Sequence, residues 1–205
     1  MICIMGKLNL IYLLLVVFLC ACSSSDEEAF VSVQNEQISL ELKSSLSQDS
    51  YQVASEHLLS IVNTRATLND EDSCREALKQ FVEDGELIQK QILEQADTLD
   101  EHLKDSLDFL KNLSGEELAS LSFIVYNASV LENECEQATR SNFPPSRLRS
   151  CLGAAIGLPA IGEIGVGGVI RAATLRRALF AIGKRYLGYI GVALMVADFY
   201  DCYRG

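Results

Sequence analysis

A chain of 205 residues can bury one sizeable core or divide into two small modules. Tryptophan is absent and aromatics are few, while leucine, alanine, glutamate and serine abound, which favours helices and argues against a sandwich or barrel. The net charge of −11 is unevenly spread: residues 22–138 carry 25 acidic and 7 basic side chains, whereas residues 139–205 carry 3 and 9. The basic residues are not interleaved with exposed-type aromatics, which excludes nucleic acid as a partner.

Residues 1–21 read as a targeting segment. Lys7 supplies a small positive region, and Leu10 to Leu19 form an apolar run of ten residues, a signal-peptide length too short to span a bilayer. The run ends in Leu19-Cys20-Ala21-Cys22. That tetrad resembles the lipobox of bacterial lipoproteins, in which an apolar residue stands three before the cysteine and a small one directly before it. The resemblance implies cleavage before Cys22 and acylation of its thiol. Membrane lipid is then the first partner, and the cell envelope, at the outer membrane and its surface, the location. Ser23-Ser24-Ser25-Asp26-Glu27-Glu28 resembles the serine-then-acidic export tag of surface lipoproteins in some Gram-negative lineages.

Residues 22–49 form an acidic tether and a weakly patterned segment, in which 36–48 fits either a short helix or a strand. From Ser50 a helical period places Ala54, Leu58, Ile61 and Val62 on one face, ending near Arg65. Asn69 and Asp70 offer N-cap oxygens for a helix over Glu71–Ala96. Its stripe is Cys74, Leu78, Phe81, Gly85, Ile88 and Ile92; Gly85 weakens it by about 1 kcal/mol relative to alanine. Thr98-Leu99-Asp100-Glu101 fits a capping box for a helix ending by Leu113. Ser114-Gly115-Glu116-Glu117 fits another, opening a helix with Leu118, Leu121, Ile124, Val125, Leu131 and Cys135 on its apolar side. These segments predict an acidic antiparallel helical bundle over 50–140, its stripes forming a core. Pro144-Pro145 marks a linker over 141–149.

Residues 150–205 predict a basic, Gly-rich, apolar helical hairpin, so the whole is mostly α. Ten of the 13 glycines lie between Gly153 and Gly205, and residues 151–170 contain one charged side chain, Glu163. Gly153 and Gly157 form a G-x-x-x-G pair of the kind that lets helices approach closely. An apolar stretch, Ala178 to Ala197, is interrupted by Lys184 and Arg185; as one helix it would reach about 30 Å. Two roles fit this segment: a hairpin packed into the protein's own core, binding or packing against a protein partner, or a membrane-active element stored in a soluble precursor. The layout of an acidic helical region followed by a basic, apolar, cysteine-bearing C-terminus resembles precursors of sporulation-delaying-type and halocin-like toxins. That resemblance implies a cut near Arg147 or Arg149 and insertion of residues 150–205 into a target bilayer.

Cys3 and Cys20 leave with the signal, so Cys74, Cys135, Cys151 and Cys202 remain for disulfides in an oxidising compartment. Antiparallel hairpin arms bring Cys151 to Cys202 and leave Cys74 for Cys135 by elimination; a competing scheme joins Cys135 to Cys151. No two of the four show a C-x-x-C spacing, so no metal is expected. The only histidines, His57 and His102, lie on different helices, and no H-E-x-x-H, G-x-S-x-G, P-loop or dinucleotide fingerprint occurs. Paired acids such as Glu116-Glu117 and Asp70-Glu71-Asp72 sit at predicted helix starts, where capping accounts for them. The expectation is a non-enzymatic protein without a cofactor.

Overall fold

The computed structural model describes residues 38–64, 71–99, 101–105, 107–138, 146–157 and 169–204. In chain order these form β1 (Ser39–Glu41), α1 (Gln48–Asn63), α2 (Glu71–Ala77), α3 (Lys79–Ala96), α4 (Glu101–Asp105), a 3-10 turn (Asp108–Leu110), α5 (Gly115–Ala138), α6 (Ser146–Ile156), β2 (Val169–Arg171), α7 (Ala172–Arg185) and α8 (Gly188–Arg204). The fold is mostly α. Cys22, residues 141–145, Glu163 and the side chain of Cys135 lie outside the described set.

Burial picks out α5 as the axis. Every residue from Leu118 to Ala128 is buried, so this helix is enclosed on all sides rather than along one stripe. α3 packs along it most extensively, and α7, α8 and α6 cover its other sides. The predicted stripe of α2 and α3 is buried in full: Cys74, Leu78, Phe81, Gly85, Ile88 and Ile92 all face the core. Gly85 has a packing reason that its helix propensity conceals. A Cβ there would run into the backbone carbonyl of Leu118, so glycine is what lets α3 and α5 cross so closely.

Local signals set several boundaries. Ser47 caps α1, its hydroxyl accepting the Ser50 N–H at 3.1 Å. At the start of α5 the Glu117 carboxylate accepts the Ser114 N–H at 2.8 Å and its hydroxyl at 3.0 Å, the reaching-back half of the expected capping box. The box at Thr98 is corrected: its hydroxyl donates backward to the Gln95 carbonyl at 2.7 Å, closing α3 instead of opening α4. The Gly153/Gly157 pair is corrected too. Gly157 adopts φ +80° and donates to the Gly153 carbonyl at 2.9 Å, so it terminates α6.

Within the segment left open over 36–48, the described residues form a strap: a strand, Ser39–Glu41, then an irregular run over 42–47 that leads into α1 at Gln48. β1 pairs antiparallel with β2, Ser39 opposite Arg171 and Leu40 opposite Ile170, across 130 residues of sequence. The expectation of one apolar helix over Ala178–Ala197 is overturned: α7 and α8 meet at Tyr186-Leu187 with a bend of 110°. Gly188 at φ +67° turns the chain there, and a Cβ on Gly191 would strike the backbone of Tyr186. α8 then returns into the core against α1, α2, α5 and α6. Val192, Met195, Val196 and Phe199 are buried, with the Phe199 ring edge-on to Phe123 at 5.2 Å. Residues 37–205 therefore share one compact unit.

Candidate functional site

Two surfaces adjoin the first described residues of the chain. The first is the strap over residues 39–47, which α3 holds through polar side chains on one face. Gln95 accepts the Glu41 N–H at 2.9 Å and donates to the Glu41 carbonyl at 2.7 Å. One turn earlier, Gln91 does the same to Lys43, at 3.0 and 2.9 Å. These amides replace a neighbouring strand, satisfying the outer edge of β1. Further along α3, the buried Asp84 carboxylate accepts the Ser44 hydroxyl at 2.8 Å, the Ser45 N–H and hydroxyl at 2.5 and 2.6 Å, and the Ser122 hydroxyl of α5 at 2.7 Å. Four donors on two oxygens make a burial that would otherwise be costly acceptable. The strap is thus sewn down over its whole length.

The second surface is the outer face of α7. Leu175, Ala178, Leu179 and Ile182 point inward, leaving Ala173, Arg176, Arg177, Phe180, Gly183 and Lys184 along the exposed side. Phe180 is 61% exposed, and Leu187 at the corner after the helix is 80% exposed, the two largest apolar exposures among the described residues apart from Val53 on α1. α7 contains no acidic residue. Lys184 lies over the Phe180 ring at 4.5 Å. Arg176 leans on Phe109 at 5.4 Å, and Arg185 donates to the Ala154 carbonyl at the end of α6 at 2.8 Å, so those two guanidiniums are tied to the protein. Arg171 and Arg177 have no acidic partner within ion-pair distance among the described residues. The surface is therefore cationic with two apolar protrusions. The sequence showed the basic character of this stretch but not which side of the helix carries it; the signal for that was the seven-residue spacing of Ala173, Phe180 and Leu187 opposite the buried leucines.

Of the predicted site residues, Cys151 and Cys202 are joined in a disulfide, their Cα atoms 5.7 Å apart. This excludes the competing Cys135–Cys151 scheme. The bridge links α6 to α8, and the Arg147 guanidinium adds hydrogen bonds to the Cys202 carbonyl at 3.3 and 3.1 Å. The candidate cleavage residues Arg147 and Arg149 are both exposed, and Arg147 is also hydrogen-bonded to the C-terminal helix. Cys74 is fully buried on α2; its pairing with Cys135 lies outside the described side chains. His57 is exposed on α1, and His102 lies on α4 with its side chain outside the described set. Among the described residues no group of three or more His, Cys, Asp or Glu is placed to hold a metal ion.

The polar groups with shifted titration serve packing. Burial pushes the Tyr51 phenol well above its ordinary range, although its hydrogen bonds with Asn127 act in the opposite direction. Tyr51 stacks on Tyr126 with ring centroids 4.0 Å apart. Glu56 is held below its ordinary value, first by the Gln52 amide at 3.1 Å and then by the Tyr200 hydroxyl at 3.1 Å, with Arg204 nearby. Those contacts fasten the end of α8 to α1. Compared with known proteins, the chain matches no family model, no curated protein and no solved structure.

Proposed function

We propose that this chain is a non-enzymatic envelope lipoprotein, acylated at Cys22, whose helical unit is a binding module held at a membrane. The observation that carries the binding-module reading is the fate of residues 150–205. The apolar side of α8 is taken up by the protein's own core, and the disulfide and Arg147 fix its far end to α6. That supports a packed element over a stored one awaiting release. The strap supports the tether, because a chain that enters through a sewn-down segment passes any pull on its N-terminus into α3 and α5 rather than peeling a loose end. No single helix among the described residues is long and apolar enough to cross a membrane.

The alternative is a tethered precursor of a membrane-disrupting peptide. It is favoured by one observation: α7 and α8 taken together have the length and apolar composition of a membrane segment broken by a 110° bend. Two experiments separate the readings. Labelled palmitate should enter the wild-type protein and not Cys22→Ala; equal labelling would remove the anchor. Dye release from anionic vesicles by a fragment spanning residues 147–205 would favour the toxin, and its absence the binding module.

A further inference from the structure

We infer that the outer face of α7 docks on the anionic surface of the bilayer that holds the chain, laying the helical unit against the membrane in one orientation. Which bilayer this is rests on the acylation of Cys22; the docking chemistry rests on the face itself. Three observations converge. The first is where the tether enters. The Ile38 carbonyl accepts the N–H of Ala172, the first residue of α7, at 3.0 Å, and Ser39 pairs with Arg171. Fifteen residues lie between Cys22 and Ile38, a reach of at most about 55 Å when fully extended. A lipid on Cys22 therefore keeps the start of α7 within one short chain length of head groups, where a weak surface interaction is strengthened by the high effective concentration.

The second observation is composition. Arg171, Arg177 and Lys184 present positive charge without an acidic partner among the described residues, while Phe180 and Leu187 project beside them. Cations for phosphates with one aromatic and one aliphatic wedge are the mixture an interfacial helix uses, whereas a soluble partner of acidic chemistry would need no exposed wedge. Gly183 leaves open space on the same side, so the backbone can approach the surface closely. The third observation is charge complementarity within the whole chain. At net −11 the protein is repelled by an anionic surface in most orientations, and a face free of acids on its own helix is the one that is attracted. Acids stand near both ends of the face: Asp108, beside the Phe109 on which Arg176 rests, Asp198, which acts on Tyr186, and Glu71, whose carboxylate is 4.0 Å from where a Cβ on Gly188 would stand. None of them is in ion-pair contact with Arg177 or Lys184.

The chain has no tryptophan, so Phe180→Trp makes a unique reporter at an exposed position. The full-length variant is reconstituted with vesicles of phosphatidylcholine, alone or with phosphatidylglycerol, that carry brominated acyl chains. The expected result is a blue-shifted indole emission, quenched at least about twofold in the anionic vesicles alone and reversed by 0.5 M salt. Adding Arg177→Glu and Lys184→Glu should abolish the effect, and Val53→Trp should stay solvent-like in both vesicles. Leu187→Trp supplies the same readout should the first variant fold poorly. Identical reporter emission in neutral and anionic vesicles, persistence after charge reversal, or shielding already present without lipid (a protein partner or self-association) would each overturn the inference. Mass analysis of the same preparation reports acylation. Quenching by protein lacking acyl chains would sink the anchor and leave the face, and a solvent-like indole on acylated protein would do the reverse.

Discussion

Gly85 shows two residue-scale forces with opposite signs. Alanine would improve helix propensity by about 1 kcal/mol. Its methyl, however, would meet backbone rather than the end of a movable side chain, so α3 and α5 would have to separate. Overpacking of that kind costs about 1–3 kcal/mol, and this is the most extensive helix pairing in the core. Gly85→Ala should therefore lower the urea midpoint; a rise would refute the close approach. Asp84 is a second test. Asp84→Ala removes the acceptor group shared by Ser44, Ser45 and Ser122. The loss should be about 1–3 kcal/mol in equilibrium denaturation, because the buried Ser122 hydroxyl loses its partner while the more exposed Ser44 and Ser45 donors can turn to water. Tyr51 makes a prediction in pH. Its folded phenol keeps the proton above pH 10, the ordinary value, where the unfolded chain begins to release it. The corresponding stability is fully present below pH 10 and declines as pH rises beyond it. Tyr51→Phe should flatten that alkaline decline in urea midpoints measured between pH 8 and 11.5. Part of the decline should remain, because Tyr126, Tyr186 and Tyr200 are shifted upward by burial as well.

At the scale of elements, the sequence is informative where a period is long and uninformative where a contact is distant. Six apolar positions from Cys74 to Ile92 repeat at four and three, and such a stripe has few places to go except inward. Ser114 and Glu117 announce α5 because capping chemistry is local. β1 and β2 are three residues each, too short for alternation to show, and their pairing depends on backbone meeting backbone across the whole fold. The roles of Gln91 and Gln95 carry no sequence signal, because nothing local distinguishes an amide facing water from one facing a strand. The 110° corner was hidden by averaging: mean hydropathy runs on through Ala178–Ala197, while the turn is made by the single residue Gly188. The Cys151–Cys202 pair was reached from an expected two-armed hairpin; the segment instead holds three helices and a strand, and the bridge forms because α8 packs back against α6. It closes a separation of 51 residues, for which the chain-entropy model gives about 4 kcal/mol. Cys151→Ala with Cys202→Ala should show a loss of that order, with faster amide exchange concentrated in the last two turns of α8. Uniform acceleration across α3 and α5 instead would mean that the bridge supports the whole core.

The whole molecule sets the terms on which its C-terminal helices could ever enter a bilayer. To insert, α8 must first leave α1, α2, α5 and α6, exposing Val192, Met195, Val196 and Phe199. Each such side chain contributes about 1.5–3 kcal/mol when buried. Four together are on the scale of a typical domain's entire net stability, about 5–15 kcal/mol. α8 also carries the ring that packs on Phe123, so its departure opens the central helix. Insertion by the intact protein should consequently be inseparable from global unfolding. Dye release from anionic vesicles, measured as temperature rises, should begin no earlier than the loss of helical circular dichroism. Gly85→Ala, which weakens the core away from α7 and α8, should shift both transitions downward together. A protein built to release its C-terminal helices would behave differently: leakage would start well below the unfolding midpoint, and destabilising α3 against α5 would leave its onset where it was.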